Sequence, residues 1–90
     1  TNYRRILRFD PTAPFASRLT QVFDLMTGNP AIIPCRWSPN GSYFAVAIGA
    51  SVQVYIFNNT SETATLVDTE SVVGTVIDLD WSPDGNYVIA

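Results

Sequence analysis

Trp37-Ser38-Pro39-Asn40-Gly41-Ser42-Tyr43-Phe44-Ala45-Val46-Ala47 decides the fold, because it returns 44 residues later as Trp81-Ser82-Pro83-Asp84-Gly85-Asn86-Tyr87-Val88-Ile89-Ala90. Trp, Ser, Pro, Gly and Tyr coincide, and Asn40 and Asp84 are chemically close. Each copy reads as a β-hairpin. Pro39 sets φ for the first corner of a turn, Asn40 tolerates the second, and Gly41 takes the positive φ that follows. Pro83-Asp84-Gly85 repeats that chemistry. A type I turn closed by a left-handed Gly joins two antiparallel strands with a one-residue bulge. Ser38 and Ser82 are placed to hydrogen-bond the turn amides.

The flanks carry strand periodicity. Before the second turn, Ile77, Leu79 and Trp81 alternate with Asp78 and Asp80, the period of a half-buried strand. After the first turn, residues 43–48 are apolar throughout, as in a strand covered on both faces. Gly49-Ala50-Ser51 predicts a tight connection. Val52, Val54 and Ile56 then alternate with Gln53, Tyr55 and Phe57 as a third strand. Residues 58–61 read as a loop, and residues 63–67 as a fourth, more polar strand. Four strands in 44 residues match the ~40–45 residue period of a propeller blade.

Trp-Ser-Pro-Asn/Asp-Gly-x-Tyr followed by a short apolar strand resembles blades of the WD-repeat and TolB-like β-propellers. The resemblance covers residues 32–90, about one blade and the first two strands of the next. It implies an all-β fold of four-stranded antiparallel blades, and it implies a role as a binding platform. The chain departs from the WD-repeat pattern. It has no His, and Tyr55-Ile56-Phe57-Asn58 stands where Trp-Asp would fall, so that family's hydrogen-bonded network does not carry over. Viral particle proteins with similar strands resemble it more weakly.

A closed propeller takes about four to eight blades, and 90 residues hold at most two. A repeat unit of this kind leans on its neighbours and needs about three or more copies for stability. The expectation is therefore a segment of a larger propeller, or a chain whose missing blades come from neighbouring subunits. On this reading Trp37 is a core residue, and Trp37→Ala costs about 3–5 kcal/mol.

The first part of the chain is built differently. All five basic residues are arginines, at 4, 5, 8, 18 and 36. With Asp10 and Asp24, residues 1–36 carry +3, whereas residues 37–90 hold six acids and no base. This shift places a boundary near residues 30–34, with an arm or linker over 1–31 and the blades over 32–90. Residues 6–9 read as a short strand, and residues 10–14 as a turn-rich link. Phe15, Leu19, Val22, Phe23 and Met26 form a helical stripe, yet residues 22–28 resemble the outgoing strand of a blade. Trp37 follows Phe23 by 14 residues and Trp81 follows Phe57 by 24, which is short for a blade junction. Helix and strand both stay open over residues 15–26.

Composition limits the chemistry. Charged residues are 14% of the chain, against a usual share of about 25%, and apolar residues are 47%; this argues for a folded chain with much of its surface covered. Without His, the Ser–His–Asp and Cys–His constellations cannot be built. Cys35, alone among apolar neighbours, reads as a buried inert thiol. Asp78-x-Asp80-x-Ser82-x-Asp84 has calcium-loop spacing, but Pro83 and Ile89 stand where such a loop needs Gly and Glu. It reads as a solvated strand face and turn. The Asn-x-Ser/Thr matches at Asn40, Asn58 and Asn59 are of a kind composition makes common. The tyrosines and tryptophans read as packing between strands. No catalytic, metal or cofactor residue is assigned.

Two residue sets remain. Trp37, Ser38, Pro39, Gly41, Trp81, Ser82, Pro83, Asp84 and Gly85 form the structural turn motif. Arg4, Arg5 and Arg8, interleaved with Tyr3 and Phe9, form a basic arm suited to an acidic protein surface rather than nucleic acid. The expected function is a non-enzymatic scaffold whose partners are neighbouring blades or subunits. One alternative is a virion component anchored by the basic arm. The other is the accessory propeller of a hydrolase, which would need a Gly-x-Ser-x-Gly element that this sequence lacks.

Overall fold

In this computed structural model, which describes residues 2–28 and 33–90, the chain is all-β and the described residues contain no helix. The strands are β1 (Asn2–Phe9), β2 (Leu19–Gly28), β3 (Cys35–Trp37), β4 (Tyr43–Ile48), β5 (Ser51–Asn58), β6 (Thr63–Ser71), β7 (Asp80–Trp81) and β8 (Val88–Ile89). They form three antiparallel sheets: β1-β2, β3-β4-β5-β6 and β7-β8. The boundary expected between residues 31 and 32 lies outside the described residues.

The four-stranded sheet is a plain meander, and its turns follow from local chemistry. Gly49, at φ +60°, opens the two-residue loop between β4 and β5, the place where a type II′ hairpin needs glycine. Between β5 and β6, Asn58 Oδ1 accepts from the Thr60 and Ser61 amides at 2.9 and 3.1 Å. β6 runs four residues past its expected end at 67, because β5 offers pairing partners as far back as Ser51. β7, by contrast, is only Asp80–Trp81, since β8 pairs with it over two residues.

The fold is organised by β4. Successive side chains of a strand point to opposite faces. Phe44 and Val46 therefore join Ile33 and Tyr55 on one face, with Ile6 and Leu25 of the β1–β2 hairpin packed over them. Ala45 and Ala47, both at zero exposure, face the other way and join Val76 and Leu79, with Val88 and Trp81 packed alongside. The central sheet is thus covered by a two-stranded hairpin on each side. Its all-apolar strand is explained, since both of its faces are core. Alanines on the second face let β7–β8 approach the sheet backbone closely. A bulky side chain there would hold the layers apart.

The hairpin β1–β2 stands to the central sheet as β5–β6 stands to β7–β8. In both, the outer strand carries a one-residue bulge at a valine. Val22 is skipped between Ile6↔Phe23 and Leu7↔Gln21, and Val67 is skipped between Val54↔Asp68 and Tyr55↔Leu66. Trp37 lies 15 residues after Val22, and Trp81 lies 14 after Val67. The spacing looks short when counted from Phe23 because Phe23 sits on the counterpart of β6, not of β5. Residues 19–28 are strand; the helical stripe fails because every residue of β2 except Val22 and Thr27 has a cross-strand partner on β1.

Candidate interaction surface

The two Trp-led turns are the same structure bond for bond. In the first, the Ser38 amide donates to Tyr43 O at 2.8 Å and the Gly41 amide to Ser38 O at 2.9 Å. Ser38 Oγ donates to Asn40 Oδ1 at 2.8 Å and accepts from the Tyr43 amide at 3.0 Å, while Asn40 Oδ1 also accepts from the Ser42 amide. In the second, Ser82, Asp84, Gly85, Asn86 and Tyr87 make the corresponding bonds, with Ser82 Oγ to Asp84 Oδ1 at 2.6 Å. Gly41 and Gly85 share φ +76°. The Ser82 hydroxyl, then the Asn86 amide, hold the Asp84 carboxyl below its usual range. The turns sit side by side, with a Cβ at Gly85 meeting Pro39 Cδ at 3.7 Å. They flank a cleft of about 450 Å³ whose main polar atoms, Asn40 Oδ1 and Asp84 Oδ1, are already engaged.

Between neighbouring sheets the contacts are polar as well as apolar. Trp81 Nε1 donates to the Arg36 carbonyl at 3.0 Å, and the Arg36 guanidinium meets Asp78 at 3.2 Å. These two contacts bind β7 and the segment just before it to β3. Sequence reasoning did not pair them, since residues 42 and 45 apart in sequence meet only once the sheets stack.

Trp37 is not a core residue in this chain. Its side chain makes edge contacts with Phe44 and Phe57, each at 5.5 Å, yet it is 48% exposed. The cause is positional. Trp81 lies on β3 of the sheet before it, whereas among the described residues the β1–β2 hairpin before Trp37 has no counterpart of β3 on which that indole can lie. Among the described residues its Nε1 has no acceptor. The expected 3–5 kcal/mol loss for Trp37→Ala is corrected to about 1–2 kcal/mol for the chain alone, the worth of a half-buried side chain.

A groove of about 150 Å³ runs beside this indole. Its floor is Cys35, Trp37, Phe44 and Val46, and its wall is the free edge of β1 at residues 4–7. That volume is below the ~300 Å³ at which small-molecule pockets begin. Cys35 is half-buried on the groove floor rather than sealed in the core.

The basic residues of the arm are strand residues with partners. Arg4 Nε donates to Ile33 O at 2.9 Å, Arg5 meets Asp24 at 3.1 Å across the hairpin, and Arg8 meets Glu62 at 2.9 Å. Both ion pairs are exposed, which limits each to ~0–1 kcal/mol. The acids near the second turn are separately engaged: Asp78 with Arg36 and the Leu79 amide, Asp80 with the Trp81 amide, and Asp84 within the turn. Among the described residues no three His, Cys, Asp or Glu side chains gather as a metal site. Among the tyrosines, Tyr55 is buried, stacked on Phe44 at 5.1 Å, while Tyr87 is 72% exposed. Among the described residues no helix is long and apolar enough to cross a membrane.

No family model matches this chain, and neither a curated protein nor a solved structure matches it.

Proposed function

We propose that this chain is a non-enzymatic structural and protein-interaction segment of a β-propeller, within a larger protein or assembly. The observation that carries this reading is the face-to-face stacking: one four-stranded antiparallel sheet with a hairpin on each side, each hairpin in register with half of another such sheet. Blades of a propeller stack in this way, and the matched turns at Ser38 and Ser82 fit successive blades. A stack of rigid sheets offers a surface for partners without chemistry of its own. The absence of His from the whole chain supports the non-enzymatic reading. The propeller reading rests on architecture, so its function follows by analogy from that class of fold.

Residue-resolved hydroxyl-radical footprinting of the natural protein tests this. In a propeller, Trp37 lies against a preceding blade, and it is labelled no faster than Trp81. If Trp37 is labelled as an open indole while Trp81 is protected, no blade precedes it and the reading fails.

A further inference from the structure

The geometry points to self-docking: the groove beside β1 takes the β7–β8 hairpin of a second copy of this chain, head to tail. This deepens the propeller reading and rests on it.

Among the described residues β1 is paired only with β2 and β8 only with β7, and these two edges are complementary. By the matched bulges β1 is the counterpart of β5, and by the repeated turn β8 is the counterpart of β4. Inside the chain β4 and β5 pair with each other, Tyr43 opposite Ile56, Phe44 opposite Tyr55 and Ala45 opposite Val54. The same register between copies sets Tyr87 opposite Arg8, Val88 opposite Leu7 and Ile89 opposite Ile6. The product is a four-stranded sheet, β7-β8 from one copy and β1-β2 from the next. Strand addition of this kind satisfies backbone groups that an open edge leaves to water.

The groove is where that hairpin belongs. It lies over β3 and β4 and along the free edge of β1, so β8 set against β1 fills it. Side-chain parity agrees. Tyr87 and Ile89, 72% and 73% exposed, turn onto the floor that holds Trp37. Leu7 and Phe9, 48% and 62% exposed, turn onto the β5–β6 side of the first copy, where Ile56 is also open. The Trp37 indole then has the acceptor that Trp81 already has. The counterpart of Arg36 O is Asp80 O of the other copy, at the same place one position before the Trp.

Charge favours this pairing over like with like. Residues 1–28 carry four arginines and two aspartates, +2, and residues 72–90 carry three aspartates, −3. Opposite ends attract, and identical ends repel. A head-to-tail contact either closes into a ring or grows as a filament.

The test uses the 90-residue chain with Cys35→Ser as background, and single variants Leu7→Cys and Val88→Cys. Within one copy the central sheet separates these positions by two layers, ~20 Å, beyond the ~7 Å reach of a disulfide. Mixed one to one under mild oxidation, the two variants should cross-link at least tenfold faster than either alone. Sedimentation of the unmodified chain should give a mass at least twice that of the 9.9 kDa monomer. Filaments carrying the same cross-link also support the docking. A monomer at every concentration with strand circular dichroism intact overturns it, as does preferential coupling of Leu7→Cys to itself. A monomeric chain whose Trp37 is nonetheless protected in the natural protein removes self-docking and leaves the propeller reading standing.

Discussion

At the scale of single residues, the turn serines carry more of the fold than their size suggests. Each hydroxyl accepts from one amide and donates to one carbonyl-type oxygen, and both bonds span the turn. Ser38 is buried, at 5% exposure, so Ser38→Ala leaves the Tyr43 amide without its partner away from water. That costs about 1–2 kcal/mol, and Ser82→Ala, in a wetter turn, costs about half as much; urea unfolding midpoints give the order. Asp84 adds pH dependence that Asn40 cannot. Its folded carboxyl titrates below the ordinary 3.8, so its stabilisation is present above that value and is lost as pH falls through the folded value. Asp84→Asn keeps the acceptor and removes the titration. The variant therefore loses less stability than the parent between about pH 5 and 2, and an unchanged acid limb would contradict the assignment. The serine and turn roles were legible in the sequence because they are local. The partners of Arg4, Arg8 and Arg36 were not, because each meets a residue brought close only by stacking.

At the scale of elements, the two tryptophans separate what a repeat encodes from what a neighbour supplies. They share sequence context and turn geometry, yet among the described residues only Trp81 has a sheet strand beneath it. At dilutions that keep the chain monomeric, Trp81→Ala lowers stability by about 2–4 kcal/mol. Trp37→Ala lowers it by only about 1–2 kcal/mol. Equal losses would mean that Trp37 has a partner within the chain. β4 shows the converse. Its apolar run announced two covered faces, and the faces differ in what they tolerate. Ala47 stands at zero exposure against the Val76 and Leu79 layer. Ala47→Leu must push that layer off, and it costs about 1–3 kcal/mol by thermal unfolding. A neutral result would show a gap between the sheets. Strand β2 was the least legible element. Phe15, Leu19, Val22, Phe23 and Met26 satisfy a helical period, and only the pairing with β1 decides for strand.

At the scale of the molecule, the described residues form a three-layer stack: the β1–β2 hairpin, the central sheet and the β7–β8 hairpin. Its radius of gyration is 14.0 Å and its extents are 46 × 33 × 19 Å, whereas a compact chain of this length comes to about 12 Å. The excess has the same origin as the exposed Leu7, Phe9, Tyr87 and Ile89: outward faces built like the inward ones, with no sheet of the described residues against them. The sequence made the four-stranded unit readable through its repeated turn. It showed less of the first hairpin, which carries no Trp-led turn: residues 22–28 resemble an outgoing strand, and the match of β1–β2 to β5–β6 emerges from the bulge at Val22. The central claim is that the two end hairpins lie on opposite faces of the central sheet. Side-chain nuclear Overhauser contacts test it directly. The account predicts contacts from Ile6 and Leu25 to Phe44 and Val46, and from Leu79 and Val88 to Ala45 and Ala47. Contacts from Leu25 to Ala47, or from Leu79 to Val46, would put both hairpins on one face and contradict it.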